Sequence, residues 1–162
     1  MKAFFKLSSV SILFITFNCF AGPYDDGPSV EELKWVDEGY LTRQRELVDE
    51  LSRLKFGERI RGNISDLETL QRILDAELVN QTETKKLQAL GVVLGDVFTS
   101  ELKMQWRVYT DEDGKSRAVC IKESIDCIFP ITMISKRVEI GVIPDVKGLY
   151  EKAANALKPL LR

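Results

Sequence analysis

Two cysteines, Cys120 and Cys127, stand in the second half of the chain with six residues between them. Such a pair admits a redox-active dithiol, a structural disulfide or two free buried thiols. Redox catalysis favours Cys-x-x-Cys spacing and a helix N-terminus behind the first thiol to lower its pKa. Neither is present. A turn over Lys122 to Ile125, or at Glu123-Ser124, would instead set the cysteines opposite each other on neighbouring strands. If they form a close, non-hydrogen-bonded pair, a cross-strand disulfide is possible. Export to an oxidising compartment would make that bond the default.

The remaining candidates are contact-makers rather than reagents. Lys136, Arg137 and Glu139 lie on the polar side of a short amphipathic segment, where the basic pair Lys136-Arg137 suits an anion or an acidic partner, although a solvated helix face produces the same pattern. Arg107 and Tyr109 lie on the polar side of an alternating run and belong to types enriched at binding hot spots. Trp106, on the other side with Met104 and Val108, reads as core.

Much chemistry is excluded. The chain has no histidine, which removes the commonest general base, the usual catalytic triads and most zinc sites. There is no nucleophile elbow, phosphate loop or dinucleotide fingerprint, so no cofactor is implied. Asp111-Glu112-Asp113-Gly114 fails as a calcium loop, with Ser116 where glycine is required and Lys122 where a bidentate glutamate is required. No metal is expected. The acidic pairs Asp37-Glu38 and Asp49-Glu50 read as helix surface, since glycosidase chemistry needs two carboxylates facing across a cleft. Ser135 and Lys136 are adjacent, the wrong spacing for one helical face.

The elements that position these residues follow from periodicity. Ser29-Val30-Glu31-Glu32 matches a capping box and predicts a helix start, with Gly39 a point where the helix could break. Leu41, Leu47, Val48, Leu51 and Leu54 continue the helical pattern to Phe56, where Gly57 stops it. Ser65 opens a second helix that ends near Asn80, and Thr82 caps a third running to about Leu102. The third is apolar nearly all round and is therefore buried, with Gly91 and Gly95 forming a smooth strip for close approach. Strands follow at Met104–Tyr109, Arg117–Ile121 and Asp126–Phe129, as an antiparallel meander. Pro130 closes the third strand; Ile131, Ile134, Ser135 and Val138 then fit one face of a short helix ending at Gly141, and Asp145 caps the last helix. The predicted class is α+β: three N-terminal helices, a three-stranded antiparallel meander and two C-terminal helices.

The N-terminus has a different character. A basic start, an uncharged apolar run from Leu7 to Phe17 and the triplet Cys19-Phe20-Ala21 have the layout of a secretory signal peptide cut after Ala21. Lipidation at Cys19 is the lesser reading, because Asn18 and Thr16 do not fit a lipobox. The expected organisation is a signal peptide over residues 1–21, a flexible lead-in over 22–28 and one α+β domain over 29–162. No membrane span is expected after the leader. Loss of Lys2 and Lys6, from 23 basic against 25 acidic residues, takes the formal charge from −2 to −4. That balance disfavours nucleic-acid binding.

Four stretches in the second half carry a likeness. L-Q-A-L-G-V-V-L-G-D at Leu87–Asp96, W-x-V at Trp106–Val108, D-E-D-G at Asp111–Gly114 and F-P-I-T-M-I-S-K-R at Phe129–Arg137 together resemble a family of bacterial domains of unknown function. The likeness covers Leu87 to Leu157, a family-like region of residues 86–158. The resemblance implies bacterial origin and, with the leader, a periplasmic or secreted location. It transfers no catalytic residue, and the cysteine pair departs from the family pattern.

The expected function is non-catalytic: an exported protein that binds a protein partner in the periplasm, in the manner of an immunity protein or inhibitor. The alternatives are a small histidine-free hydrolase and a small-ligand carrier. A carrier would need an apolar pocket between the third helix and the sheet.

Overall fold

The structure is a computed structural model that describes residues 27–161. The expected leader, Cys19 and the lead-in up to residue 26 lie outside the described residues. From the N-terminus the elements are β1 (Ser29–Glu32), α1 (Trp35–Phe56), α2 (Asp66–Asp75), α3 (Thr84–Leu102), β2 (Gln105–Asp111), β3 (Gly114–Cys120), β4 (Cys127–Ile128), α4 (Pro130–Val138) and α5 (Val146–Leu157), closed by a 3-10 turn at Lys158–Leu160. This is the expected α+β architecture, with N-terminal helices, a central antiparallel sheet and C-terminal helices. The three expected strands form the meander β2-β3-β4, and β1 extends it to the order β1-β2-β3-β4.

The helix start predicted at Ser29 is not formed. Those four residues are β1, paired antiparallel with β2 so that Val30 faces Tyr109 and Glu32 faces Arg107. A capping box contributes only about 1 kcal/mol, and the free edge of β2 offers this segment a ladder of backbone hydrogen bonds instead. Helix α1 begins later, at Trp35, where the Asp37 carboxylate accepts the Lys34 N–H at 3.3 Å. Gly39 does not break it. Gly57, at φ 71°, ends it as expected. Thr82 does not cap α3 either. Its N–H and hydroxyl both donate to Asn80 Oδ1, and Glu83 takes the N-cap position.

Helix α3 organises the fold. Every residue from Ala89 to Phe98 is buried, and the helix packs on α1, α2, α4, α5 and the inner face of the sheet. Each large apolar side chain so buried contributes about 1.5–3 kcal/mol. The two glycines of its smooth strip have separate neighbours. A Cβ on Gly91 would lie 2.5 Å from the carbonyl oxygens of Pro130 and Ile131, at the start of α4. A Cβ on Gly95 would overlap the Trp106 ring. Trp106 is core, as expected, with Val108 on its face of β2 and Met104 buried just before the strand.

Cys120 and Cys127 form a disulfide between directly opposite residues of β3 and β4. The Ile121 N–H donates to Asp126 O at 3.0 Å, so the bonded pair is 121/126 and the cysteines occupy the close, non-hydrogen-bonded position. The turn that sets this register holds Glu123 at φ 58° and is tied by a Ser124 hydroxyl–Asp126 carboxylate bond of 2.7 Å. Replacing both cysteines with alanine is expected to cost about 2.5 kcal/mol, near the low end for disulfides because the closed loop is short. The midpoint of urea unfolding, compared with that of the oxidised parent, checks this.

Candidate functional site

The candidate contact residues fall on two separate surfaces. Side chains alternate along β2, so Arg107 and Tyr109 lie on the sheet face turned away from α3. There Arg107 Nη2 donates to Gln105 Oε1 at 2.5 Å, and its Nη1 lies 3.5 Å from Glu32. Tyr109 meets Phe129 edge-to-face, with ring centroids 5.3 Å apart. Lys136, Arg137 and Glu139 are exposed at the end of α4. Arg137 folds back, and its Nη1 donates to Met133 O at 2.6 Å.

The residues that follow this second group were missed as contact-makers. Gly141, at φ 83°, closes α4. Its N–H donates to Val138 O at 2.8 Å and the Val142 N–H to Arg137 O at 2.9 Å, which together make a Schellman turn. Such a turn usually packs the residue after the glycine against an apolar residue one turn back. Here that earlier residue is Arg137. Ile140, Val142 and Ile143 are therefore left 76%, 49% and 51% exposed. Beside them a groove of about 360 Å3 is lined by Leu74, Val79, Val138 and Ile143 together with the polar Glu77, Asn80 and Gln81. The sequence signal was available as three aliphatic residues in four positions around a glycine, and it was not drawn on.

A second groove, of about 560 Å3, runs between α2 and α5. Its floor is Leu67, Ile64 and Tyr150. The Gln71 side chain spans the two helices, with Oε1 accepting the Val146 N–H at 2.8 Å. Tyr150 stacks on Phe98 with centroids 4.9 Å apart. Burial pushes its phenol above the ordinary tyrosine value, and the nearby Glu101 carboxylate adds to the shift. Asp145 caps α5 by accepting the Gly148 N–H at 3.0 Å.

One polar cluster lies at the edge of the core. Asp96, on α3, accepts Arg45 Nε at Oδ2 and Arg45 Nη2 at Oδ1, both at 2.7 Å, and Trp106 Nε1 at Oδ1 at 2.9 Å. The bidentate bond raises the Arg45 pKa further above its ordinary value, against the opposing effect of burial. The cluster borders an open cleft of about 490 Å3 that also takes in Asp49, Arg59 and Arg61. Sequence reasoning missed Asp96 as well, although a lone carboxylate in an apolar helix was a signal.

The residues weighed for catalysis are not brought together. Ser135 is buried and Lys136 exposed. Asp37 pairs with Arg117 at 2.8 Å, and Asp49 accepts the Ile60 N–H at 3.0 Å, so both carboxylates serve the fold. The space between α3 and the sheet, where a carrier would need its pocket, is packed with Trp106, Met104 and Val119. Among the described residues, no group of three His, Cys, Asp or Glu is placed to hold a metal ion, and no helix is long and apolar enough to cross a membrane.

The family model described as domain of unknown function DUF3806 matches residues 66–150, just over half of the chain. The chain belongs to this family. The matched DUF3806 region begins at α2, earlier than the resemblance suggested, and runs through α3, the meander and α4 to Tyr150. It leaves out β1 and α1. A crystal structure from Bacteroides thetaiotaomicron VPI-5482 shares the fold, with a TM-score of 0.72 and 16% identity over 80% of this chain and 48% of that one. The chain thus spans about half the length of that protein. No curated protein matches it.

Proposed function

We propose that this DUF3806 protein is exported to the bacterial periplasm and acts there without catalysis, by binding a protein partner as an immunity protein or inhibitor does. The observation that carries this reading is the aliphatic turn Ile140–Ile143, exposed beside a groove of mixed polarity and flanked by Lys136, Arg137 and Glu139. The Schellman turn needs Gly141 and its backbone hydrogen bonds, and nothing in it requires isoleucine or valine at the other positions. Exposed aliphatic groups next to a groove with a charged border are the composition of an interaction patch.

The test is affinity capture of the mature chain, residues 22–162, from its own envelope, alongside the variant Ile140→Ser/Val142→Ser/Ile143→Ser. The parent is expected to retain a partner that the variant loses. The unfolding free energy should change by no more than about 0.5 kcal/mol per site, as at exposed positions. Failure to recover a partner, or equal recovery by the variant, overturns the reading. Intact mass of the exported protein, with and without reductant, checks the cut after Ala21 and the disulfide together.

A further inference from the structure

We infer that the groove between α2 and α5 receives a cationic, partly apolar segment of a partner protein, an assignment that rests on the protein-binding reading above and gives the partner its chemistry. The argument begins with charge. Glu68, Asp145 and Glu151 line the groove against one cation, Lys147, which lies 3.8 Å from Glu151. Glu101 adds a fourth carboxylate close by, with Oε1 accepting the Ile64 N–H at 3.2 Å. Asp145 is committed to the cap of α5, and Glu68 forms no ion pair among the described residues. The side chains lining the groove therefore carry a formal net charge of −2, three carboxylates against Lys147, and Glu68 is the carboxylate left to answer a cation, with Glu151 already paired to Lys147 at the rim.

The floor argues for more than a small cation. Ile64 is 47% exposed, and Tyr150 is half-buried beside it. In an open trough a small hydrated ion would leave these groups wet. A peptide segment with aliphatic side chains between lysines or arginines would cover them and pair with the rim in one event. The volume of about 560 Å3 lies within the range of specific binding sites. The walls are already set by the Gln71–Val146 bridge and the Tyr150–Phe98 stack, so little ordering is needed on binding.

The experiment uses the mature chain and two synthetic probes, a short Leu/Lys amphipathic peptide and its Leu/Glu counterpart of equal length. Calorimetric titration is expected to show binding of the Leu/Lys peptide only, weakened by added salt. The Tyr150 ring signals should shift in NMR spectra. Glu68→Lys/Glu151→Lys should weaken binding by about tenfold, while unfolding stays as in the parent because both sites are exposed. No binding by the Leu/Lys peptide, equal binding of both peptides, or binding unchanged in the charge-reversed variant overturns the assignment. The two proposals fail separately. An envelope partner lost with the serine-substituted turn but retained by Glu68→Lys/Glu151→Lys refutes the groove alone. Groove-dependent binding of the Leu/Lys peptide without any envelope partner refutes the partner reading alone.

Discussion

Gly95→Ala destabilises the protein by about 1–2 kcal/mol, the opposite sign from an ordinary glycine-to-alanine change in a helix. Alanine is favoured over glycine in a helix interior by about 1 kcal/mol. The substitution at Gly39 in α1 should show that gain, since the added methyl group would meet only the end of the Arg43 side chain, at 3.3 Å. At Gly95 the same methyl group overlaps the Trp106 ring. The ring cannot swing aside without breaking its hydrogen bond to Asp96. Overpacking of this kind costs about 1–3 kcal/mol and sometimes more, and it outweighs the helix preference. Gly91→Ala should be at least as costly, because the obstacle there is backbone, the carbonyl oxygens that begin α4. Urea unfolding checks all three, with midpoints ordered Gly39→Ala above parent above Gly95→Ala and slopes unchanged. Equal stability of Gly95→Ala and parent would mean that α3 does not lie against β2 as described.

The same pair of glycines shows what sequence can carry. Their spacing on an apolar helix announced close approach, and close approach is found, but the two neighbours were not legible. Pro130 and Trp106 lie 39 and 11 positions away from Gly91 and Gly95, and no local pattern links them. The elements that were readable share one property: their signal lies within a few residues. The alternation of Met104 to Val108, the glycine after Phe56, the Asp145 cap and the opposed cysteines are all local. Strand β1 was not readable for the complementary reason. It has four mostly exposed residues with no periodic burial, and its ladder partners on β2 are more than 70 positions away. A local capping signal stood against a distant pairing, and the pairing prevailed.

Burial limits the reading of surfaces in the same way. Ile140, Val142 and Ile143 have the composition of core, and only their exposure separates a docking turn from a packed one. The groove between α2 and α5 joins residues about 80 positions apart, so its acidity cannot be seen in either segment alone. Lys136, Arg137 and Glu139 could be placed at the surface from helical spacing. Their importance comes from what they border, which is a tertiary fact.

Asp96→Ala should be the most damaging single loss of a polar group, at about 2–4 kcal/mol. Three donor atoms lose their acceptor at once: Arg45 Nε, Arg45 Nη2 and Trp106 Nε1. Leaving the buried indole N–H unpaired costs about 1–3 kcal/mol. Breaking a fully buried ion pair costs about 3–5 kcal/mol. That figure must be discounted here, because the Arg45 side chain is 38% exposed and can turn toward water, whereas Asp96 is only 11% exposed. The asymmetry orders the variants. Asp96→Asn keeps an acceptor for Trp106 and should cost about half as much as alanine. Arg45→Ala leaves Asp96 bonded to Trp106 and open to water from the cleft, so it should also cost less. In the double variant the stranded guanidinium is gone, and the loss should fall short of the sum by about 1 kcal/mol or more. Trp35→Phe removes the other tryptophan, which is 84% exposed, and leaves Trp106 as the fluorescence reporter. In that background, an emission shift on Asp96→Ala that Asp96→Asn largely avoids would assign the effect to the indole bond. Additive losses in the cycle would instead show that Arg45 and Asp96 act independently.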